Sequence, residues 1–187
     1  MEQPPSTMLK IIRFIDKYVG ELSGQIFFVL IFPMVGGLTY EVVARYAFNA
    51  PTIWAYDLTY MLYGSHFMLG AVYCLYKKGH IRTDLVYDSL PVRWQGRIDA
   101  FCYLFLFFPG MAFFLYFGAI EAVHSWEILE KSEATAWYPP IYPFKTVIPV
   151  AAFLLMVQGV SEFLKSIHAA IRGESYTRQF EESGYEP

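Results

Sequence analysis

Charged side chains are scarce in this sequence of 187 residues and account for 17% of it, whereas about 25% is usual in soluble domains. The shortage is concentrated in four stretches that contain no Asp, Glu, Lys or Arg. A helix needs about 20 mainly apolar residues to cross the hydrocarbon core of a membrane, which is roughly 30 Å thick. The missing charge therefore argues against a soluble fold and predicts four membrane-spanning helices. The charge-free stretches are 22–40, 58–76, 100–120 and 146–161.

Cysteine is nearly absent as well, since Cys74 and Cys102 are the only two. Both fall within charge-free stretches, near ends that we expect to face a reducing cytoplasm, so a disulfide is not expected. The sequence also has no nucleophile elbow, no phosphate-binding glycine loop and no spaced set of metal ligands. It therefore predicts no catalytic residue, no metal site, no cofactor and no activity as an enzyme.

What the sequence has instead is a regular succession of apolar segments joined by polar connections. We expect an all-α membrane protein with four transmembrane helices and short interfacial helical segments. No cleavage site follows the first span, so it is expected to be retained as a signal anchor. The expected spans cover about 21–45, 53–76, 98–124 and 145–167. The expected divisions of the chain are an amphipathic N-terminal segment, 1–18, a transmembrane domain, 19–171, and a polar tail, 172–187.

The lysines and arginines give the spans a direction. Of the 14, eleven lie before span one, between spans two and three, or after span four, and three lie in the other two connections. Connections that are rich in Lys and Arg stay in the cytoplasm. Both termini are therefore expected to be cytoplasmic, which agrees with an even number of spans.

Three ionisable residues lie at the expected outer ends of the first two spans. Glu41 and Arg45 are four residues apart and share a helix face. Asp57 begins the next span after a tight turn, so we expect all three side chains to meet near the outer membrane surface. Ionisable residues in membrane helices are candidates for function. The cluster is either a surface for docking or gating, or a structural network of ion pairs that fixes the helical hairpin.

Aromatic side chains mark the connection before span four. Trp137, Tyr138 and Tyr142 alternate with prolines in this segment. Because Trp and Tyr favour the headgroup level of a bilayer, we expect the segment to lie on the outer membrane surface.

Histidine raises an alternative function, a membrane-anchor subunit of a respiratory enzyme that binds haem or quinone. A haem with two histidine ligands needs two imidazoles at matching depth on different helices. His66 is expected at mid-depth, whereas His80 and His168 lie on the cytoplasmic side and His124 lies on the outer side. His66 is therefore better explained by a hydrogen bond between helices. A structural or chaperone-like membrane protein without a role in transport is a third alternative.

The segment around the first connection resembles part of a known transporter family. It consists of the run Tyr40–Asn49, with the sequence YEVVARYAFN, followed by Pro51, Trp54 and Asp57. This pattern is similar to the hallmark of the small permease subunit, DctQ type, of tripartite ATP-independent periplasmic (TRAP) transporters.

A second segment supports the same resemblance. The run Gly79–Asp84, with the sequence GHIRTD, is followed by Leu90, Pro91 and Arg97 in the order that is typical of these subunits. The resemblance extends over about residues 10–172, with the same number of spans and the same orientation.

The resemblance implies a subunit of a sodium-coupled secondary transporter in the bacterial inner membrane that imports an organic acid. In these systems a periplasmic solute-binding protein delivers the solute, and the large permease subunit (M-type) carries the substrate and sodium sites. The small subunit supports and orients the large one and is expected to hold neither substrate nor ion. Its implied partners are these two proteins and membrane lipid, with no nucleic acid. Glu41, Arg45 and Asp57 would set the outer ends of two spans and contribute to the contact with the large subunit.

The resemblance also implies roles for the two remaining groups of residues. His80, Arg82 and Asp84 would order the cytoplasmic connection, although an ordinary solvated basic loop explains them equally well. The aromatic residues before span four would anchor the outer interface, near the place where a solute-binding protein docks.

Overall fold

The computed structural model describes residues 6–77, 87 and 90–173, and most of these residues are helical. This confirms the expected all-α fold. The elements in chain order are α1 (Ser6–Ile15), a π-helical segment π1 (Asp16–Glu21), α2 (Leu22–Ala47), α3 (Ala55–Tyr76), α4 (Val92–Cys102), a second π-helical segment π2 (Tyr103–Phe107), α5 (Phe108–Glu127) and α6 (Tyr142–Arg172).

In the part of the chain that the structure describes, three helices are long and apolar enough to cross a membrane. They are Met8–Ala47, which runs through α1, π1 and α2, then Val92–Glu127, which joins α4, π2 and α5, and Tyr142–Arg172. In an apolar surrounding the backbone must satisfy its own hydrogen bonds, which a continuous helix does. The amphipathic segments α1 and α4 are therefore continuous with longer helices and are not separate surface helices.

The predicted second span is also a helix, α3, but it is not one of these three. Its 22 residues give a length of about 33 Å at 1.5 Å per residue, which would be sufficient. It is too polar to qualify, because it contains Asp57, His66 and five tyrosines. Composition alone therefore supports three spans, and a fourth depends on how α3 packs.

Helix α6 lies at the centre of the fold. It packs against α3, α4 and α5, and less extensively against α1 and π1, whereas α2 packs mainly against α3. In the described part of the chain the long helices therefore form a layer in the order α2, α3, α6, α5. The buried face of α6 includes small residues, which permit close contact between helices: Ala151, Ala152, Gly159, Ser161 and Ser166.

Helices α4 and α6 approach each other closely at Gly96. A Cβ atom added there would lie 2.5 Å from the backbone nitrogen of Ala170 and 2.7 Å from the carbonyl oxygen of Ser166. Both are backbone atoms, so they cannot move aside as the end of a flexible side chain can. The packing of α4 on α6 therefore requires glycine at position 96.

The connection from α5 to α6 is a folded loop. Leu129 turns the chain at the end of α5 with a left-handed backbone, φ 48°. The Ser132 N–H then donates to the Pro139 carbonyl oxygen at 2.8 Å, and the Ile141 N–H donates to the Glu130 carbonyl oxygen at 3.0 Å. The two ends of the loop are therefore held side by side, and the residues between them project from the helices.

Candidate functional site

Glu41 fixes the connection between α2 and α3. Its Oε1 accepts a hydrogen bond from Arg45 Nε at 2.8 Å, and the two side chains form an ion pair one helical turn apart. Its Oε2 accepts hydrogen bonds from the Thr52 backbone N–H at 2.9 Å and from the Thr52 hydroxyl. One carboxylate thus joins the last turns of α2 to the segment before α3. Arg45 is the accessible member of this network, since its side chain is 54% exposed.

Asp57 has different partners from Glu41 and Arg45. It is 1% exposed, and its carboxylate accepts hydrogen bonds from Ser132 Oγ at 2.6 Å and from the Thr135 hydroxyl. It lies in the first turn of α3, where the helix dipole favours a negative charge. Within the described residues no hydrogen bond or ion pair joins it to Glu41 or Arg45. The expected cluster of three is therefore two networks, because the loop before α6 folds back over the start of α3 and supplies Asp57 with its own donors.

The Asp57 network reaches the aromatic residues of the loop. Thr135 Oγ1, which donates to Asp57, also accepts the Trp137 backbone N–H at 3.3 Å. Trp137 and Tyr138 are 43% and 56% exposed. Tyr142 lies at the start of α6, and its ring packs on Trp126 with centroids 4.3 Å apart. The three predicted aromatic residues therefore have different surroundings, two exposed on the loop and one packed between helices.

Lys145 forms an ionic network that the sequence did not single out. Its Nζ lies 2.7 Å from Glu121 Oε1 at the end of α5 and 2.5 Å from Glu130 Oε2 in the loop. The hydrogen bond from this ammonium lowers the pKa of the Glu130 carboxyl below its ordinary value of 4.5. One lysine near the start of α6 thus holds the end of α5 and the loop together.

A further unpredicted network lies between π1 and α6. Asp16 Oδ1 accepts hydrogen bonds from Gln158 Nε2 at 2.9 Å and from Ser161 Oγ at 2.7 Å, while Asp16 Oδ2 lies 2.7 Å from Lys165 Nζ. The same ammonium lies 2.7 Å from Glu162 Oε1. The side chains of Lys165 and Glu162 are 11% and 3% exposed, so this is a largely buried group of charges. A buried charge is tolerated when its partners are nearby, as they are here.

The sequence did contain a weak signal for this network. Asp16 precedes the first charge-free stretch, and the pair Glu162 and Lys165, three residues apart, follows the last one. Such a pair is expected on any helix end, and nothing in the linear pattern indicates that the two helix ends meet.

His66 lies in the interface between α3 and α2. Its Nδ1 is 2.9 Å from the Phe27 carbonyl oxygen, and the two rings stack with centroids 4.0 Å apart, as expected of a histidine that bonds between helices. Among the described residues, no group of three His, Cys, Asp or Glu side chains could hold a metal ion. His80, Arg82 and Asp84, to which the sequence gave roles, lie outside the described residues.

Comparison with known families gives one match. The family described as "Tripartite ATP-independent periplasmic transporters, DctQ component" matches residues 34–169, which is most of the chain. The matched range begins in α2 and ends in α6, so it includes the networks of Glu41, Asp57 and Lys145. Comparison with curated proteins finds no match.

Proposed function

The chain belongs to the DctQ component family of tripartite ATP-independent periplasmic transporters, and we propose that it is the fixed scaffold that supports and orients the large permease subunit of such a transporter. The family is a component of transporters and not a family of enzymes. Membership agrees with the resemblance in the two sequence motifs. It gives no support to a subunit that anchors haem or quinone.

The observation that carries this proposal is the location of the polar networks. Those of Glu41, Asp57, Lys145 and Asp16 each join a helix end to a connection or to another helix. In the middle sections of α2, α3, α5 and α6, the one ionisable acid or base apart from tyrosine is His66, which is engaged by the Phe27 carbonyl oxygen of α2. A solute or sodium site inside the membrane needs polar groups at mid-depth. The arrangement supports a subunit that holds its own helices in place and leaves the transported species to its partner.

We further propose that α3 crosses the membrane together with the three apolar helices. A short connection, 48–54, joins it to α2, and it packs beside both α2 and α6. Helices that a short loop joins and that pack along each other run antiparallel through the same layer. With four spans, the excess of Lys and Arg places both termini, including segments 1–18 and 172–187, on the cytoplasmic side of the bacterial inner membrane.

This orientation can be tested with reporter fusions. A reporter after Ser132 is expected to be active in the periplasm, and one after Lys78 is expected to be active in the cytoplasm. If both reporters give the same side, the helix Val92–Glu127 between them does not cross the membrane, and the four-span arrangement is wrong.

In the proposed orientation the α5–α6 loop faces the periplasm. We propose that a solute-binding protein delivers an organic acid there and that a sodium gradient drives its uptake through the large subunit. The exposed Trp137 and Tyr138 and the accessible Arg45 would contribute to this outer surface. On the cytoplasmic side, His80, Arg82 and Asp84 would order the connection between α3 and α4.

Purification from the native host tests the scaffold role. The tagged chain, extracted in a mild detergent, is expected to co-purify with a large polytopic permease. If no such protein co-purifies from membranes in which the chain is abundant, the scaffold role is wrong.

Uptake separates a docking role of the outer network from a structural one. The reconstituted complex, supplied with a sodium gradient and a periplasmic extract, is expected to lose uptake several-fold with Arg45→Ala. Lys131→Ala is the matched control, since it removes another exposed cation from the same side. Unchanged uptake and assembly with Arg45→Ala would show that Arg45 contributes only to the turn.

A further inference from the structure

An aromatic stripe runs along one exposed face of α3. Tyr56, Tyr60, Tyr63 and Phe67 are 65%, 51%, 57% and 64% exposed. Their spacing of four, three and four residues places them above one another on a single helix face. These four residues are called the tyrosine stripe below.

The stripe lies on α3 between the contacts of this helix with α6 and with α2. On one side of it, a Cβ at Gly64 would touch the Phe144 ring of α6 at 2.6 Å, and on the other a Cβ at Gly70 would touch the Phe27 ring of α2 at 2.6 Å. The surface of α3 on one side of the stripe is therefore covered by α6, and the surface on the other side is covered by α2. Within the described residues nothing covers it.

The stripe carries three hydroxyl groups that find no acceptor in the part of the chain that the structure describes. The Tyr60 ring leans on Phe144 with centroids 5.4 Å apart, and the Tyr63 ring stacks on Phe67 at 6.4 Å. These contacts involve the rings, and among the described residues no hydrogen bond engages the hydroxyls of Tyr56, Tyr60 or Tyr63. These exposed hydroxyls therefore remain available to donate a hydrogen bond to a neighbouring molecule.

The depth of these hydroxyls decides what can cover them. Tyr63 lies eight residues after Ala55, which begins α3, so it is about 12 Å along the helix. A helix of about 33 Å that crosses a hydrocarbon core of about 30 Å has this position well inside the core. An unpaired hydroxyl in an apolar medium loses roughly 2–7 kcal/mol relative to water. Acyl chains offer no acceptor, so lipid is a poor neighbour for the stripe.

The outer faces of the two edge helices differ from the stripe. The exposed face of α2 presents Phe28, Phe32 and Val35, and that of α5 presents Phe113 and Phe117. These side chains have no hydrogen-bonding group and suit acyl chains. A single tyrosine, Tyr116, lies beside the α5 face. A series of exposed hydroxyls at successive depths is thus a property of α3.

We propose that the tyrosine stripe is the surface on which this chain contacts the large permease subunit, and that the contacting helix presents hydrogen-bond acceptors at the depth of Tyr60 and Tyr63. The argument is electrostatic complementarity, because a row of unpaired donors inside the membrane requires carbonyl, hydroxyl or amide oxygens opposite it. The inference rests on the proposed function for the identity of the partner. The need for hydrogen-bond acceptors opposite the stripe is inferred from the contacts and the exposure of α3 alone.

Photo-crosslinking in native membranes tests the surface directly. p-Benzoylphenylalanine is placed at position 63 or 67 in one set of variants and at position 32 or 113, on the outer faces of α2 and α5, in the control set. Adducts with the large permease are expected from 63 and 67, and no protein adduct is expected from 32 and 113. Adducts of twice the mass of this chain from position 63 would show a second copy there and overturn the proposal, as would lipid adducts alone.

Removal of the hydroxyls tests the hydrogen bonds. Tyr60→Phe and Tyr63→Phe keep the rings, and each is expected to lower the recovery of the permease in mild detergent about threefold, the usual effect of one hydrogen bond between membrane helices. Tyr116→Phe is the matched control and is expected to leave recovery unchanged. Equal recovery from all three variants would overturn the proposed acceptors.

The two proposals fail in different ways. If the permease co-purifies with the unaltered chain but crosslinks only from positions 32 or 113, the scaffold role stands and the tyrosine stripe is not its surface. If the permease does not co-purify and position 63 gives no protein adduct, both proposals are wrong.

Discussion

Asp57 and Ser132 are 75 residues apart in the sequence, yet the Ser132 hydroxyl donates to the Asp57 carboxylate at 2.6 Å. The pair joins the first turn of α3 to the loop between α5 and α6. Because Asp57 is almost wholly buried, its carboxylate oxygens obtain their hydrogen bonds from this hydroxyl and from that of Thr135. The geometry of the α5–α6 loop is thus set by a helix that lies far from it in the sequence.

Loss of the Asp57 carboxylate is expected to loosen the loop. Asp57→Ala leaves two buried or partly buried hydroxyls without their acceptor, which costs about 1–3 kcal/mol of stability. Asp57→Asn keeps one acceptor oxygen and is expected to cost less. Limited proteolysis after residue 132 in detergent measures the effect.

Glu133→Ala is the control for this experiment, since Glu133 is exposed in the same loop. It is expected to leave the cleavage rate unchanged. If Asp57→Ala were cleaved no faster than Glu133→Ala, Asp57 would not be what holds the loop.

Gly96→Ala is expected to disturb the contact between α4 and α6. The added methyl group would lie 2.5 Å from a backbone nitrogen of α6, and overpacking of this kind costs about 1–3 kcal/mol. Gly110→Ala provides the comparison, because a Cβ at Gly110 meets nothing within 4 Å. Thermal unfolding in detergent should show a lower midpoint for the first variant and an equal or higher one for the second.

Lys165→Met is expected to destabilise the end of the layer where π1 meets α6. The variant leaves the buried Glu162 and the partly buried Asp16 without their shared ammonium, and breaking a buried ion pair costs about 3–5 kcal/mol. Lys17→Met removes an exposed lysine from π1 and should have little effect. Equal unfolding midpoints for the two variants would contradict the role assigned to Lys165.

A double variant sharpens this prediction. Asp16→Asn combined with Lys165→Met removes a negative and a positive charge together, so the combined loss should be smaller than the sum of the single losses. Additive losses would indicate that the two side chains act independently.

Acid is expected to weaken the attachment of the loop to α6 through Glu130. The pKa of this carboxyl is lowered in the folded chain by the Lys145 ammonium, so the ionised form stabilises the fold at pH values above the ordinary value of 4.5. This contribution is lost as the pH falls through the lower pKa of the folded state. When the pH is lowered from 7, the thermal unfolding midpoint of the unaltered chain should therefore decrease once the pH is below about 4.5.

Glu130→Gln removes this titration. Its midpoint should be lower at neutral pH and should change less with acid than that of the unaltered chain. The difference is expected to be small, since partly exposed ion pairs contribute roughly 0–1 kcal/mol.

The sequence located the helices well because their physical cause is local. Each charge-free stretch lies inside helical structure, as 22–40 does in α2 and 146–161 does in α6. The family was also recognised from contiguous residues, chiefly those around Glu41, and the family match confirms it. A hydrogen bond between helices was expected for His66, and the structure gives the Phe27 carbonyl oxygen of α2 as its partner.

The networks could not be obtained in the same way, because their partners are far apart in the chain. Asp57 was assigned to Glu41 and Arg45 by proximity in sequence, but its hydroxyl donors come from the loop before α6. Asp16 and Lys165 are separated by almost the whole protein. Periodicity in the sequence shows which face of a helix is apolar. It does not show which other helix end will pack beside that helix.

The layered arrangement of the helices has a consequence for how the cell handles this protein. Only nine hydrophobic residues are buried among those described, and five of them are alanines, so the chain covers little of its own apolar surface. A copy without its partner also exposes the tyrosine stripe. We expect such orphan copies to be recognised by membrane quality-control proteases, so that the abundance of this chain follows that of the permease on which we propose that it assembles.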